Sequence, residues 1–249
     1  MEKVFQAKVL DKHSAEYYRC PKCLFLQVKN PHWLAEAYES PINASDTGLL
    51  ARNINLSEIA AILLYFYFDK NGKFVDFAGG YGAFTRLMRD IGFDFYWRDP
   101  FCQNIFAKGF EYQERGTEKI ELLTAFECLE HFENPLNEIE KMLKISKNIL
   151  FSTLLAPEDA FPPNDWFYYG FKHGQHISFF SRKTLQRIAD KNNLHFYTNG
   201  KNLHLLTEKE LKFFSFKLLY RLKQFGFLKL VKRKMKSKTA SDSEYLLNK

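Results

Sequence analysis

Between Lys73 and Met88 the chain reads KFVDFAGGYGAFTRLM, and this stretch constrains the fold more than any other. An apolar run rich in strand formers passes through five small positions (Ala78, Gly79, Gly80, Gly82, Ala83) into residues with helical spacing, and Asp76 stands just before the small residues. A strand that turns at once into a helix is the opening of a parallel crossover. Glycine at the turn permits backbone dihedrals closed to other residues and lets other atoms approach the main chain without Cβ interference.

The pattern then repeats. FTRLMRDIG reads as a helix stopped by Gly92, FDFYWRD and IELLTAFE as strands, NPLNEIEKMLKIS as a helix with Pro135 in its first turn, and KNILFSTLL as a strand. Upstream, DTGLLARNINLSEIAAILLYFYF places Leu56, Ile59, Ile62 or Leu63, and Phe66 at helical spacing. Downstream, Ser181 reads as the N-cap of RKTLQRIADKNN, and LHFYTNGKNLHLL as two strands about an Asn-Gly turn. The expected fold class is therefore α/β: a doubly wound, mostly parallel sheet ending in a C-terminal antiparallel β-hairpin, with a small N-terminal appendage. The expected segments are an appendage over 1–40, the α/β domain over 41–206 and a basic helical tail over 207–249.

In such sheets ligands bind beyond the carboxyl ends of the strands, and the first strand-to-helix turn supplies the floor. A dinucleotide fingerprint wants a third glycine three residues after Gly82, where this chain has Thr85. Asp99 closes the second strand, where a carboxylate can accept hydrogen bonds from both hydroxyls of a ribose, and Glu127 closes the strand ELLTAFE. The three acid-bearing strand ends are expected to converge on one crevice.

Taken in order, Asp76-Phe-Ala-Gly-Gly-Tyr-Gly82, an acid ending the second strand and AFECLEHFENP after the fourth resemble the class I S-adenosylmethionine-dependent methyltransferases over roughly residues 48–206. The resemblance implies that Asp76, Ala78, Gly79, Gly80 and Gly82 hold the methionine end of S-adenosylmethionine, Asp99 the ribose, and Phe126 and Glu127 the adenine and methyl-donor side. Ala78 stands where the family pattern has its first glycine. The loop WFYYGFKHGQHISFF is similar to the acceptor loop of sugar methyltransferases of that class. His176 is the preferred general base and His173 the second choice; Glu130 and His131 read first as helix-entry hydrogen-bonders. A sugar or nucleotide sugar in surface glycan assembly is the implied acceptor. The rivals are a lipid or quinone-like acceptor and a catalytically inert cofactor-binding scaffold.

Charge and cysteines bound the remaining classes. The net charge of +7 is carried by residues 207–249, with 12 Lys/Arg against 4 Asp/Glu, so no nucleic acid partner is expected for the body of the chain. Leu211, Phe214, Leu218, Leu222 and Phe225 read as one helical face flanked by lysines. That face suits a helix docked on the domain or on a second copy, as in a homodimer, ahead of a peripheral membrane contact. The last dozen residues read as disordered. Cys20 and Cys23 form one knuckle of a zinc ribbon without a second pair, so no metal is expected. Four scattered cysteines, no charged-then-apolar leader and no apolar run near 20 residues make the cytoplasm the expected location.

Overall fold

A computed structural model of the chain describes residues 1–39, 42, 46–114, 119–158, 162 and 165–249. In chain order the elements are β1 (Glu2–Val9), β2 (His13–Arg19), β3 (Leu26–Lys29), α1 (Leu34–Ala37), α2 (Leu49–Tyr67), β4 (Lys73–Phe77), α3 (Ala83–Ile91), β5 (Asp94–Arg98), β6 (Ile120–Ala125), α4 (Pro135–Ile145), β7 (Ile149–Ser152), β8 (Ser178–Phe179), α5 (Arg182–Lys191), β9 (His195–Thr198), β10 (Leu203–Thr207), α6 (Phe216–Gln224), α7 (Phe227–Lys234) and α8 (Thr239–Leu247). They form two compact units that cut across the expected segments. One unit comprises Met1–Asn43, Phe126–Lys141 and Leu150–Lys209; the other comprises Ala44–Ala125, Met142–Ile149 and Glu210–Lys249. The boundary expected between 40 and 41 lies outside the described residues.

In the unit that holds the glycine loop, β4 is the middle strand, parallel to β5 on one side and to β6 on the other. Phe74–Phe77 and all six residues of β6 are buried, the continuous burial of parallel strands covered on both faces, with Asp76, Glu121 and Thr124 as polar members. Phe74 stacks on Phe95 at 5.1 Å and Phe84 meets the same ring edge-on at 5.6 Å, so strand and helix share one aromatic core. Helix α2 packs on α3, α6 and α7. By length and apolarity α2 is the one described helix that meets the measure of a membrane span. Ile59–Leu64 are fully enclosed by the protein, which is what a core helix requires.

Two readings of the tail are corrected here. The stripe Leu211–Phe225 is not one helix: Phe213 has φ +57° and is 94% exposed, α6 begins only after Ser215, and Gly226 at φ +79° separates α6 from α7. The buried apolar residues of the tail are Leu211, Phe216, Leu219, Val231 and Met235, so of the expected stripe Leu211 is buried while Phe225 is 78% exposed. The last dozen residues are ordered as α8. Its Asp242 makes a bidentate ion pair with Arg89 of α3 (2.7 Å and 2.7 Å), both side chains being buried. The long separation between those two residues hid their pairing from local pattern.

In the other unit, β1-β2-β3-β8 form an antiparallel sheet in that order. Its inner face packs Val9, Tyr17, Leu26 and Trp33 against Tyr168, Tyr169, Ile177 and Phe179, so the first 33 residues and the aromatic loop share one core. The Cys20–Cys23 turn is closed by main-chain bonds, Cys20 N–H to the Phe25 carbonyl and Leu24 N–H to the Cys20 carbonyl, both 2.8 Å. Here too β9 and β10 pair antiparallel about Asn199-Gly200, where the Asn199 side chain accepts from the N–H groups of Lys201, Asn202 and Leu203. Ser181 caps α5 as its sequence position predicts, accepting from the Thr184 N–H at 3.1 Å.

Candidate functional site

Three consecutive turns of left-handed or bent backbone follow β4. Ala78 has φ +55°, Gly80 +54° and Gly82 +84°, and Ala78 carries a Cβ in a region that disfavours one. The glycines at 79 and 82 are required by the protein's own atoms. A Cβ on Gly79 would stand 2.7 Å from an Asp76 carboxylate oxygen and 2.8 Å from the Trp97 ring; one on Gly82 would stand 2.7 Å from the Asn104 amide oxygen. Gly80 is held from both sides, its N–H donating to Asp99 Oδ2 at 2.9 Å and its carbonyl accepting from Trp97 Nε1 at 2.9 Å.

The two acids of this loop differ in environment. Asp76 is buried, and its two oxygens accept from Thr124 and Thr85 hydroxyls at 2.9 Å each. Burial pushes its carboxyl up to about 7, against the opposing effect of the two hydroxyl donors. It braces the loop from beneath. Asp99 is half-buried. Besides Gly80 it accepts from the N–H groups of Phe101 (2.8 Å) and Cys102 (3.0 Å), both on Oδ1, so the remaining acceptor capacity lies on Oδ2. The carboxylate expected to grip two hydroxyls is thus also the clamp that shapes the glycine loop.

Phe126, Glu127, Glu130, His131, His173 and His176 all belong to the other unit. Glu127 has φ +51°; its N–H donates to Ser152 Oγ at 2.8 Å and that hydroxyl returns a bond to its carboxylate at 2.5 Å. His176 lies 2.6 Å through Nδ1 from the Tyr168 carbonyl. A carbonyl only accepts, so Nδ1 carries the proton and Nε2 keeps its lone pair. His131 faces the Gln175 carbonyl through Nδ1 at 3.1 Å, with the Tyr38 hydroxyl 2.8 Å from the same nitrogen. Burial holds His131 down to about 4 and His176 well below the ordinary imidazole value, so both are neutral at neutral pH.

His173 differs. Its Nδ1 accepts from the Gln175 N–H at 3.1 Å, and its other edge fills the space that a Cβ on Gly170 would occupy. The Nδ1 lone pair of His173 is thus engaged by the loop's own main chain. The stack runs His173, His176, His131, with ring centroids 4.8 Å and 5.0 Å apart.

Glu130 lies in the short helical turn Leu129–His131, where helix entry was the first reading and cleft lining the second, and it is fully buried beside these rings. Neither carboxylate oxygen has a hydrogen-bond partner of good geometry among the described residues, although its own backbone N–H and the Tyr168 and Thr153 hydroxyls stand near enough to lower its pKa. Burial, reinforced by the nearby Glu127, pushes it up to about 8. The dipeptide Glu130-His131 and the distant His176 were visible in the sequence, but their meeting depends on β8 carrying the loop back to the Leu129–His131 turn. That return is secured by Ile177 N–H to the Glu130 carbonyl at 2.8 Å and by the Ser178 hydroxyl to the Phe132 carbonyl at 2.7 Å.

A family model described as a methyltransferase domain matches residues 50–198. No curated protein sequence matches the chain. Among solved structures the chain is similar to TnmH (TM-score 0.48, 15% identity, covering 71% of this chain and 61% of that one). It is also similar to an O-methyltransferase family protein from Burkholderia thailandensis (TM-score 0.48, 15% identity, 73% and 68% covered). A third similar structure is human N-acetylserotonin methyltransferase in complex with SAM (TM-score 0.41, 14% identity, 72% and 66% covered). The chain spans about three fifths of the length of TnmH, at 61%.

Proposed function

The chain belongs to the methyltransferase domain family, and from that premise we propose that it transfers a methyl group from S-adenosylmethionine to a hydroxyl of a sugar or nucleotide sugar in surface glycan assembly. The donor chemistry fits the loop. A sulfonium amino acid joined to a nucleoside offers an ammonium and two ribose hydroxyls, all donors, and the loop presents the open side of Asp99 Oδ2 with the Gly80–Gly82 backbone beside it. Asp76 serves that site by holding the loop, through Thr85 and Thr124.

The acceptor reading rests on one observation: the His176 ring is fixed by Nδ1 on a main-chain carbonyl and keeps a neutral Nε2 lone pair in an aromatic surround that includes Tyr168. In the reaction the acceptor oxygen forms a bond to the methyl carbon, the carbon–sulfur bond breaks, and its electron pair stays on sulfur as a neutral thioether. The hydroxyl proton passes to His176 Nε2. Most of the rate comes from holding oxygen, carbon and sulfur in line, and the base contributes roughly 10²–10⁴-fold.

The test is turnover of isotopically labelled S-adenosylmethionine against a panel of nucleotide sugars, with wild type and His176→Ala. The expected result is label in a nucleotide sugar, a loss in kcat of roughly 10²–10⁴-fold for the variant and unchanged donor affinity by calorimetry. Label appearing only in lipid or quinone acceptors, or full activity in the variant, overturns the reading.

A further inference from the structure

We infer that Glu130, His131 and His176 form a binding site for a divalent transition-metal ion, in which the two imidazoles and the buried carboxylate are the protein ligands. One ligating atom from each residue lies within 4.8 Å of the other two. Metal bonds of about 2.0–2.2 Å place neighbouring ligands roughly 3.4 Å apart, so a bound cation draws the set inward by about an ångström. Side-chain rotation supplies that movement.

Three independent features favour a cation over a packed polar core. The first is the Glu130 side chain, fully enclosed, with both oxygens lacking a hydrogen-bond partner and no ion pair among the described residues. A fully enclosed carboxylate in that state lacks the partners that normally accompany burial, and a cation would supply them. The second is the orientation of the histidines. His176 turns Nδ1 toward the Tyr168 carbonyl, the outer-shell contact that fixes a metal-binding imidazole and leaves its other nitrogen for an ion, and His131 Nδ1 is held between the Gln175 carbonyl and the Tyr38 hydroxyl.

The third feature is rigidity. Glu130 and His131 sit on the Leu129–His131 turn, and His176 sits on the loop tied to that same turn by the Ile177 N–H at 2.8 Å. Two imidazoles with one carboxylate leave coordination positions open, the arrangement of a catalytic rather than a structural centre.

This inference deepens the acceptor reading of the same cluster and relies on it only for what the open positions hold. With a cation present, His176 Nε2 is a ligand and no longer a base. A cation held by Glu130, His131 and His176 would supply Lewis acidity, lowering the pKa of a hydroxyl taken up at an open position.

The experiment is independent of turnover. Purified full-length protein, stripped with chelator and desalted, is titrated with Zn²⁺ by calorimetry and with Co²⁺ by visible spectroscopy, and S-adenosylmethionine binding is measured on the same sample. Wild type is expected to take up one equivalent and to develop ligand-field bands of a nitrogen–oxygen site. Glu130→Gln, which preserves volume, and His176→Ala bind at least tenfold more weakly, and a Cys20→Ser/Cys23→Ser variant binds as wild type does; circular dichroism verifies the fold of each. No stoichiometric uptake by folded wild type, equal uptake by Glu130→Gln and His176→Ala, or loss confined to the cysteine variant overturns the inference. Because donor binding is read separately, absence of metal with donor binding intact refutes the metal centre alone, and absence of donor binding refutes the methyl-transfer reading.

Discussion

Replacing Asp76 with asparagine should change how the stability of this protein depends on pH, and the structure sets the size of the effect. In the folded chain burial lifts the Asp76 carboxyl from its ordinary 3.8 to about 7. At 1.36 kcal/mol per pKa unit, this rise of roughly 3 units corresponds to about 4 kcal/mol. The sign follows from which state holds the proton. Between pH 3.8 and about 7 the folded protein keeps it and the unfolded chain has lost it, so the contribution is complete at low pH and is lost as pH rises to about 7.

The side chain introduced by Asp76→Asn does not ionise. Its amide oxygen still accepts from Thr85, and its NH₂ can donate to Thr124 Oγ1, whose own proton can go to the Val75 carbonyl, so the exchange costs about 1 kcal/mol independent of pH. Urea denaturation of both proteins at intervals from about pH 4 to about pH 8 should therefore show Asp76→Asn somewhat less stable at the acid end. It should overtake wild type by about 3 kcal/mol near pH 8, with a slope approaching 1.4 kcal/mol per pH unit between. A stability difference that stays flat across this range would refute the argument, because it would mean that Asp76 is ionised throughout in the folded state and that its two hydroxyl donors outweigh its burial.

Two further outcomes follow from named contacts. Asp242→Ala leaves the buried Arg89 guanidinium without its bidentate partner and should cost about 3–5 kcal/mol in denaturant unfolding, with the S-adenosylmethionine affinity of the remaining folded protein little changed. Gly82→Ala places a methyl group 2.7 Å from the Asn104 amide oxygen at φ +84°; it should cost about 1–3 kcal/mol and weaken donor binding by calorimetry, and unchanged values on both counts would show that the loop tolerates a Cβ.

Local chemistry was legible in advance, and long-range pairing was not. The strand ending at Phe77, the helix stopped by Gly92, the Ser181 cap and the Asn199-Gly200 turn each depend on a few neighbouring residues, and each stands where local pattern placed it. Asp99 was found as an acid at a strand end, but its three backbone donors could not be foreseen without the turn that delivers them. His176 was singled out for its residue type and aromatic surround. The contact that separates His173 from His176 is one main-chain N–H, at Gln175, that no periodicity reveals. The burial of Glu130 is not legible because a surface acid and a buried one look alike in sequence until the loop carrying His176 returns to its turn.

The pairing of Arg89 with Asp242 also bears on synthesis. The two residues are 153 positions apart, and ribosomes add about 5–20 residues per second, so roughly 8–30 s separate the appearance of the guanidinium from that of its carboxylate. Throughout that interval α3, the helix that follows the glycine loop, has a nascent cation with no counter-charge from the tail. The guanidinium meets Asp94 and the Phe95 carbonyl early and gains its bidentate carboxylate only after translation has passed Asp242, so the tail is the last part of the chain to secure α3.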